Sequence, residues 1–365
     1  YFSPFILRLM ATNSEQTQLS AEEAAVYDRQ IRLWGAEAQT RISKGKVLFV
    51  GLPGLAVEVI KNVVLAGVGE VCILDWLNVG YEDLASNFCV TPEDVGKNRA
   101  ISSAEKLREL NPLIRLTVET RPISEVDSAL LSYYDLVVTF DVSVWQAVQL
   151  SSSARAVSTK SIICFSFGQV VASIADFQAH TYVSDSEQAV VVDGEPEKVQ
   201  TCDTFKPIEE ALATHCVEGL KRNETSLSLA AIAAIVHDFA KKAESDLASV
   251  SSIFEIGKSL LQFKSAPHPR FTEDAIAKVV SMRRVSYNPS CAAGGCIISQ
   301  EVLKVPSSSS FFCVPHPSCS YVHDCIGQCI SGKDKPLPNL FIFDGVAQSG
   351  RVIDLGGMRS VTKLS

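Results

Sequence analysis

Residues 51–56 read GLPGLA, and Asp75 follows Gly51 by 24 positions. Glycines at such a turn let backbone N–H groups approach an anion, and the helix N-terminus behind them adds positive potential. A carboxylate about 20 residues further on suits a ribose hydroxyl. Two residues weaken the pattern: Pro53 removes an N–H from the loop, and Ala56 stands where glycine allows the closest approach. Gly51, Gly54 and Asp75 therefore leave open both a working dinucleotide site and a structural relic of one. A second candidate lies upstream in AVYDRQIRLWG, from Ala25 to Gly35, where Arg29 and Arg32 stand three residues apart on one helical face. Their guanidinium groups could meet an anionic ligand or form the solvated side of a docking helix.

The thiols offer less. Cys291 and Cys296 sit in the apolar stretch CAAGGC, which suits core packing, whereas a nucleophilic thiol needs a partly exposed, electropositive setting. Cys216 lies beside His215, but sequence neighbours point apart on a helix. Residues 305–329 carry four cysteines, His316 and His323, without the two-residue spacing of a zinc knuckle, so no metal site is assigned.

The elements that must hold these residues can be read in turn. Ser20 and Glu23 form a capping-box pattern, so a helix should start near Ala21 and stop at Gly35. Tyr27, Ile31 and Trp34 share its apolar face. Lys46–Val50 and Val71–Leu74 read as buried strands around a helix over Leu55–Leu65, a βαβ unit. A helix over Lys97–Leu110, strands at Ile114–Glu119 and Tyr133–Phe140, a helix over Val144–Thr159 and a strand at Ser161–Phe167 continue the alternation. The pattern predicts an α/β fold with a doubly wound, mainly parallel sheet.

Beyond residue 175 the character changes. Residues 176–285 are acidic and turn-rich at first, then mostly helical in pattern. From 286 the chain regains α/β character. The expected organisation is a discontinuous α/β domain, 20–175 and 286–365, interrupted by a mostly helical insertion over 176–285. A disordered extension is expected over 1–19, and an unpacked Ser-, Pro- and Cys-rich insert over 305–329. With 365 residues, 47% of them hydrophobic, the chain can bury a sizeable core. A net charge of -8 argues against nucleic acid as a partner, and no apolar run is long enough to span a membrane. Most of the eleven cysteines are scattered through apolar or helical stretches, as free thiols are in cytosolic or nuclear proteins.

Taken together, YDRQIRLWG, GLPGLAVEVIKNVVLAGVG, LD, NF with VGKNRA, LNP, YDLVV, CAAGG with QEVLK, and FIFDG follow one another as in the ubiquitin-like-protein activating enzymes. Within that family the chain resembles the small subunits of heterodimeric SUMO-activating enzymes. The likeness covers 20–175 and 286–355 and is absent over 305–329. It implies a Rossmann-like, ThiF/MoeB-like adenylation fold that works in pairs. Active members adenylate the C-terminal glycine of the modifier with Mg-ATP and then form a thioester.

This sequence departs from the active pattern. Pro53 and Ala56 replace two loop glycines, and Ala85, Ser86, Asn87 and Phe88 match N-R-Q-F without its triphosphate-binding arginine. Asp75 and Lys97 match the family's ribose and phosphate contacts. Asp141 falls one position early for the magnesium-holding aspartate. With Gly51 and Gly54, these residues make a degenerate nucleotide site. The resemblance implies a non-catalytic subunit whose Arg29 reaches in trans into the ATP site of a large catalytic partner. That partner would hold ATP and Mg2+ and bring SUMO to the complex, in the nucleus and also the cytoplasm. The alternatives are the small subunit for the NEDD-type modifier, disfavoured by the short insertion, and a self-sufficient MoeB/ThiF-like adenylyltransferase, disfavoured by the missing arginine.

Overall fold

The computed structural model describes residues 19–185, 191–192, 195–196, 198–213, 220, 222–242, 249–263, 266–305, 340–353 and 357–363. Nearly all of the expected extension over 1–19 and of the insert over 305–329 lies outside them, as do Cys216 and His215.

Three short helices open the chain: α1 (Ala21–Val26), α2 (Asp28–Trp34) and α3 (Ala36–Ile42). The capping box at Ser20 and Glu23 is formed, and Gly35, at φ 88, ends α2. The single helix expected across this stretch is broken at Tyr27, whose φ of -96 and ψ of 16 leave the helical region. Burial of the Tyr27 ring pulls the chain inward there, and Tyr27 is 2% exposed.

The α/β layers follow: β1 (Lys46–Val50), α4 (Gly54–Leu65), β2 (Glu70–Leu74), α5 (Arg99–Leu110) and β3 (Arg115–Glu119). Next come α6 (Ser128–Ser132), β4 (Leu136–Phe140), α7 (Val144–Ala156), β5 (Lys160–Phe167) and β6 (Val170–Asp176). Among the described residues, eight strands form one sheet. Its parallel part runs β5-β4-β1-β2-β3, so the chain winds outward from β1 in both directions. An antiparallel extension adds β6, then β9 (Leu340–Asp344) and β10 (Ser349–Ile353). Alternate residues of β1 serve two cores: Val47 and Phe49 pack with α4 and α12 (Asn288–Lys304), while Leu48 and Val50 face the opposite layer. Burial on both faces is why these parallel strands are almost uninterrupted apolar runs.

The region 176–285, expected as a mostly helical insertion, holds four helices and also strands among the described residues. Strands β7 (Ala179–Asp185) and β8 (Lys198–Phe205) form a second sheet with β11 (Gly357–Lys363), a segment expected in the α/β domain. The helices α8 (Ile208–Ala213), α9 (Ser226–Ala240), α10 (Val250–Leu260) and α11 (Glu273–Ser281) are a layer of the main body. Ser228 to Asp238 are all buried along α9, and Leu229 to Val236 share one core with Leu48, Val50 and Leu74. A helix apolar on every side has no solvent face and must lie within a core. No described helix is long and apolar enough to cross a membrane.

Candidate functional site

In an open parallel sheet, ligands bind beyond the carboxyl ends of the strands, where the winding reverses. Here that point lies between β1 and β4. Gly51 leaves β1 at φ 84 and its N–H donates to the Leu74 carbonyl at 2.8 Å. A Cβ on Gly51 would stand 2.5 Å from the Phe140 carbonyl oxygen, so glycine is required for the turn to pass the end of β4. Gly54 begins α4 behind Pro53, and no side chain caps the helix.

The cradle is covered by the chain itself. Residues 51–57 are buried. A Cβ on Gly54 would lie 2.5 Å from the Ser86 Cβ, so the residue at the arginine position of N-R-Q-F packs directly onto the glycine turn. Asn87, also buried, accepts the Cys89 N–H and donates to the Ser103 hydroxyl.

Asp75 closes β2 and is 0% exposed. Its carboxylate accepts from the Leu52 N–H at 2.7 Å, the Leu77 N–H at 2.9 Å and Arg99 Nε at 2.8 Å. Arg99 also donates through Nη1 to Asp83 at 3.0 Å, and Asp83 accepts the Gly80 N–H. The two carboxylates hold the guanidinium charged against the cost of burying it. The GKNRA motif contains Arg99, yet the sequence pattern assigns it no role; a basic residue just inside the N-terminus of α5, against the helix dipole, is the signal that could have found it. Lys97 is not brought to this cluster. Its exposed ammonium pairs with Asp94 at 3.0 Å, and this hydrogen bond, with those from Thr91, lowers the Asp94 carboxyl to about 2.

Asp141 follows β4 at φ 50, and its carboxylate accepts from the Ser166 N–H and hydroxyl. Enclosure of the carboxyl raises its pKa to about 6, although the residue as a whole keeps partial exposure. Burial pushes the Cys291 thiol to about 12 and that of Cys296 upward, the opposite of an activated nucleophile. Among the described residues, no set of three or more His, Cys, Asp or Glu is grouped to hold a metal.

Arg29 lies on α2, away from the cradle. Its side chain is exposed and makes no hydrogen bond or ion pair among the described residues. Arg32 differs: its guanidinium is spent on Asp28 at 3.0 Å. The helix beneath Arg29 is anchored. Tyr27 packs its ring against Gly67, and Trp34 Nε1 donates to Gln39 at 2.9 Å.

A fold wound outward from β1, with a glycine turn at the reversal and a carboxylate closing β2, defines a Rossmann-like α/β domain. Residues 27–315 match the model of the ThiF family, and the chain belongs to that family. It is similar to SUMO-activating enzyme subunit 1 of Dictyostelium discoideum, 27% identical over 94% of this chain and 97% of the relative. It is likewise similar to SUMO-activating enzyme subunit 1 of Xenopus tropicalis, 29% identical over 94% and 98%. The crystal structure of E. coli MccB with succinimide matches 91% of this chain and 72% of that one, at 12% identity and a TM-score of 0.49.

Proposed function

We propose that this chain is the non-catalytic small subunit of a heterodimeric SUMO-activating enzyme, and that it supplies Arg29 in trans to the ATP site of a large catalytic subunit. Membership of the ThiF family and full-length similarity to proteins named SUMO-activating enzyme subunit 1 support the class. The observation that carries the particular role is Arg29: an exposed guanidinium with no partner among the described residues, on a helix held firmly from below. A planar, permanently charged group of this kind suits phosphate oxygens on which charge develops.

In the same reading the chain's own cradle is closed to nucleotide. Asp75 is spent on three donors, Ser86 sits on Gly54, and Lys97 is turned to Asp94. ATP and Mg2+ then belong mainly to the partner, SUMO is reached through the complex, and the nucleus, with the cytoplasm, is the setting. The raised thiols of Cys291 and Cys296 agree with thioester formation on the partner.

The test is single-turnover adenylation of SUMO by the chain reconstituted with a SUMO-activating large subunit at saturating ATP. Arg29→Ala should assemble normally and react about 10- to 1000-fold more slowly. Arg32→Ala, which loses only a surface pair, should stay near wild type. The chain alone should catalyse no ATP–pyrophosphate exchange. An Arg29→Ala rate within about twofold of wild type, against the loss expected for such a group, overturns the reading.

A further inference from the structure

The end of α4 faces the helix that carries Arg29. The last carbonyls of a helix lack intrahelical partners and must find others. Three successive carbonyls here take side-chain amides. Val64 accepts from Asn111 Nδ2 at 2.8 Å, Leu65 from Gln30 Nε2 at 3.1 Å and Ala66 from Gln39 Nε2 at 2.9 Å. Each amide also ties down α2. Asn111 Nδ2 donates to the Tyr27 hydroxyl at 2.8 Å, Gln39 Oε1 accepts the Trp34 indole N–H at 2.9 Å, and Gln30 is itself the neighbour of Arg29. The helix is thus held before, beside and after the arginine. Gln39 and Asn111 are buried, at 0% and 4% exposure, so water cannot take over their bonds.

We propose that Gln39 and Asn111 are positioning residues for Arg29. They touch no substrate; they dock α2 on the end of α4 and so set the direction in which the guanidinium is presented. This inference rests on the role in trans proposed for Arg29, and the test separates the two. Gln39→Met keeps the length of the side chain and removes both amide bonds; Asn111→Leu removes the other clamp.

In the reconstituted pair each variant should lower the single-turnover adenylation rate at saturating ATP by about 10-fold, within the 10²-fold a small misplacement can cost. The KM for ATP should stay unchanged, because the guanidinium stabilises the transition state rather than bound ATP. Combined with Arg29→Ala, neither should slow the pair further, since the group they aim is gone. Effects that multiply with Arg29→Ala would show that these residues act by another route and overturn the proposal. If either variant fails to fold, Trp34→Phe removes the indole donor while keeping an aromatic ring against the core, and should show the same dependence on Arg29. An Arg29→Ala pair at the wild-type rate would sink the function itself. A slow Arg29→Ala pair with Gln39→Met and Asn111→Leu at the wild-type rate would sink only the positioning role.

Discussion

Replacing Arg99 with Met tests whether the covered cradle is held by its internal ion pairs. Arg99 joins Asp75 at 2.8 Å to Asp83 at 3.0 Å, and the three side chains are 11%, 1% and 6% exposed. Met preserves most of the aliphatic packing and removes the guanidinium, with its charge and its two hydrogen bonds. Breaking a buried pair by deleting one partner costs about 3–5 kcal/mol, because a charge is left uncompensated. Two carboxylates are left here, but both keep backbone donors: Leu52 and Leu77 on Asp75, Gly80 on Asp83. The remaining donors favour the lower end, about 3 kcal/mol. At about 2 °C per kcal/mol for a large domain, the thermal midpoint should fall by about 6 °C. Arg121→Met provides the comparison, since the Arg121–Glu119 pair is 36% and 34% exposed and should matter by less than about 1 kcal/mol. Asp83→Asn in the Arg99→Met background should restore part of the loss, because one orphaned charge is then gone. The measurements are thermal and urea unfolding followed by circular dichroism. A loss for Arg99→Met no larger than that for Arg121→Met would refute the reasoning.

Two further perturbations test Asp141 and the anchor beneath α2. Enclosure raises the Asp141 pKa from 3.8 to about 6, so the folded chain holds this proton more tightly than the unfolded one. Its contribution to stability is full below about pH 4 and is lost as pH rises through 6. Asn also tolerates the positive φ and can donate to the Ser166 hydroxyl, so Asp141→Asn should stabilise by about 1–2 kcal/mol at pH 8, discounted for partial exposure, and by nothing at pH 4. Urea midpoints at the two pH values check it, and an equal effect at both would rule out the titration of Asp141 as its source. Gly67→Ala should destabilise by about 2–3 kcal/mol, because Gly67 lies at φ 82 and a Cβ would stand 2.4 Å from the Tyr27 ring. Because that ring anchors α2, the variant should also slow adenylation in the reconstituted pair; a normal unfolding midpoint would count against the packing described.

Local signals carried much of the secondary structure. The Ser20–Glu23 box, the Gly35 stop and the apolar β1 appear as read. The helix expected from Lys97 begins at Arg99, because Asn98 caps it through the Ile101 N–H. The strand expected from Tyr133 begins at Leu136, because Tyr133 and Tyr134 close α6 first. These features are decided within a few residues, by capping, turn chemistry and the period of apolar side chains, so a linear reading reaches them.

What the linear reading could not reach depends on segments far apart in the chain. Strand β8 pairs with β11, from Val199 opposite Lys363 to Phe205 opposite Gly357, and nothing local specifies a partner that distant. The helical pattern before residue 285 was legible, but its burial against Leu48 and Val50 was not, because an all-round apolar helix shows no face to orient it. Asp75 has the right spacing for a ribose contact. Only the fold brings Leu52 and Arg99 to its oxygens, from 23 and 24 residues away. Arg29 and Arg32 are the same residue type on one short helix, and the sequence alone determined that a basic helix precedes β1. The pairing of Arg32 is local, but how the helix is fastened beneath Arg29 was settled in three dimensions. Asp28 lies one turn before Arg32 and pairs with it, while Gln30, Gln39 and Asn111 fasten the helix to the end of α4 and leave Arg29 unpaired among the described residues.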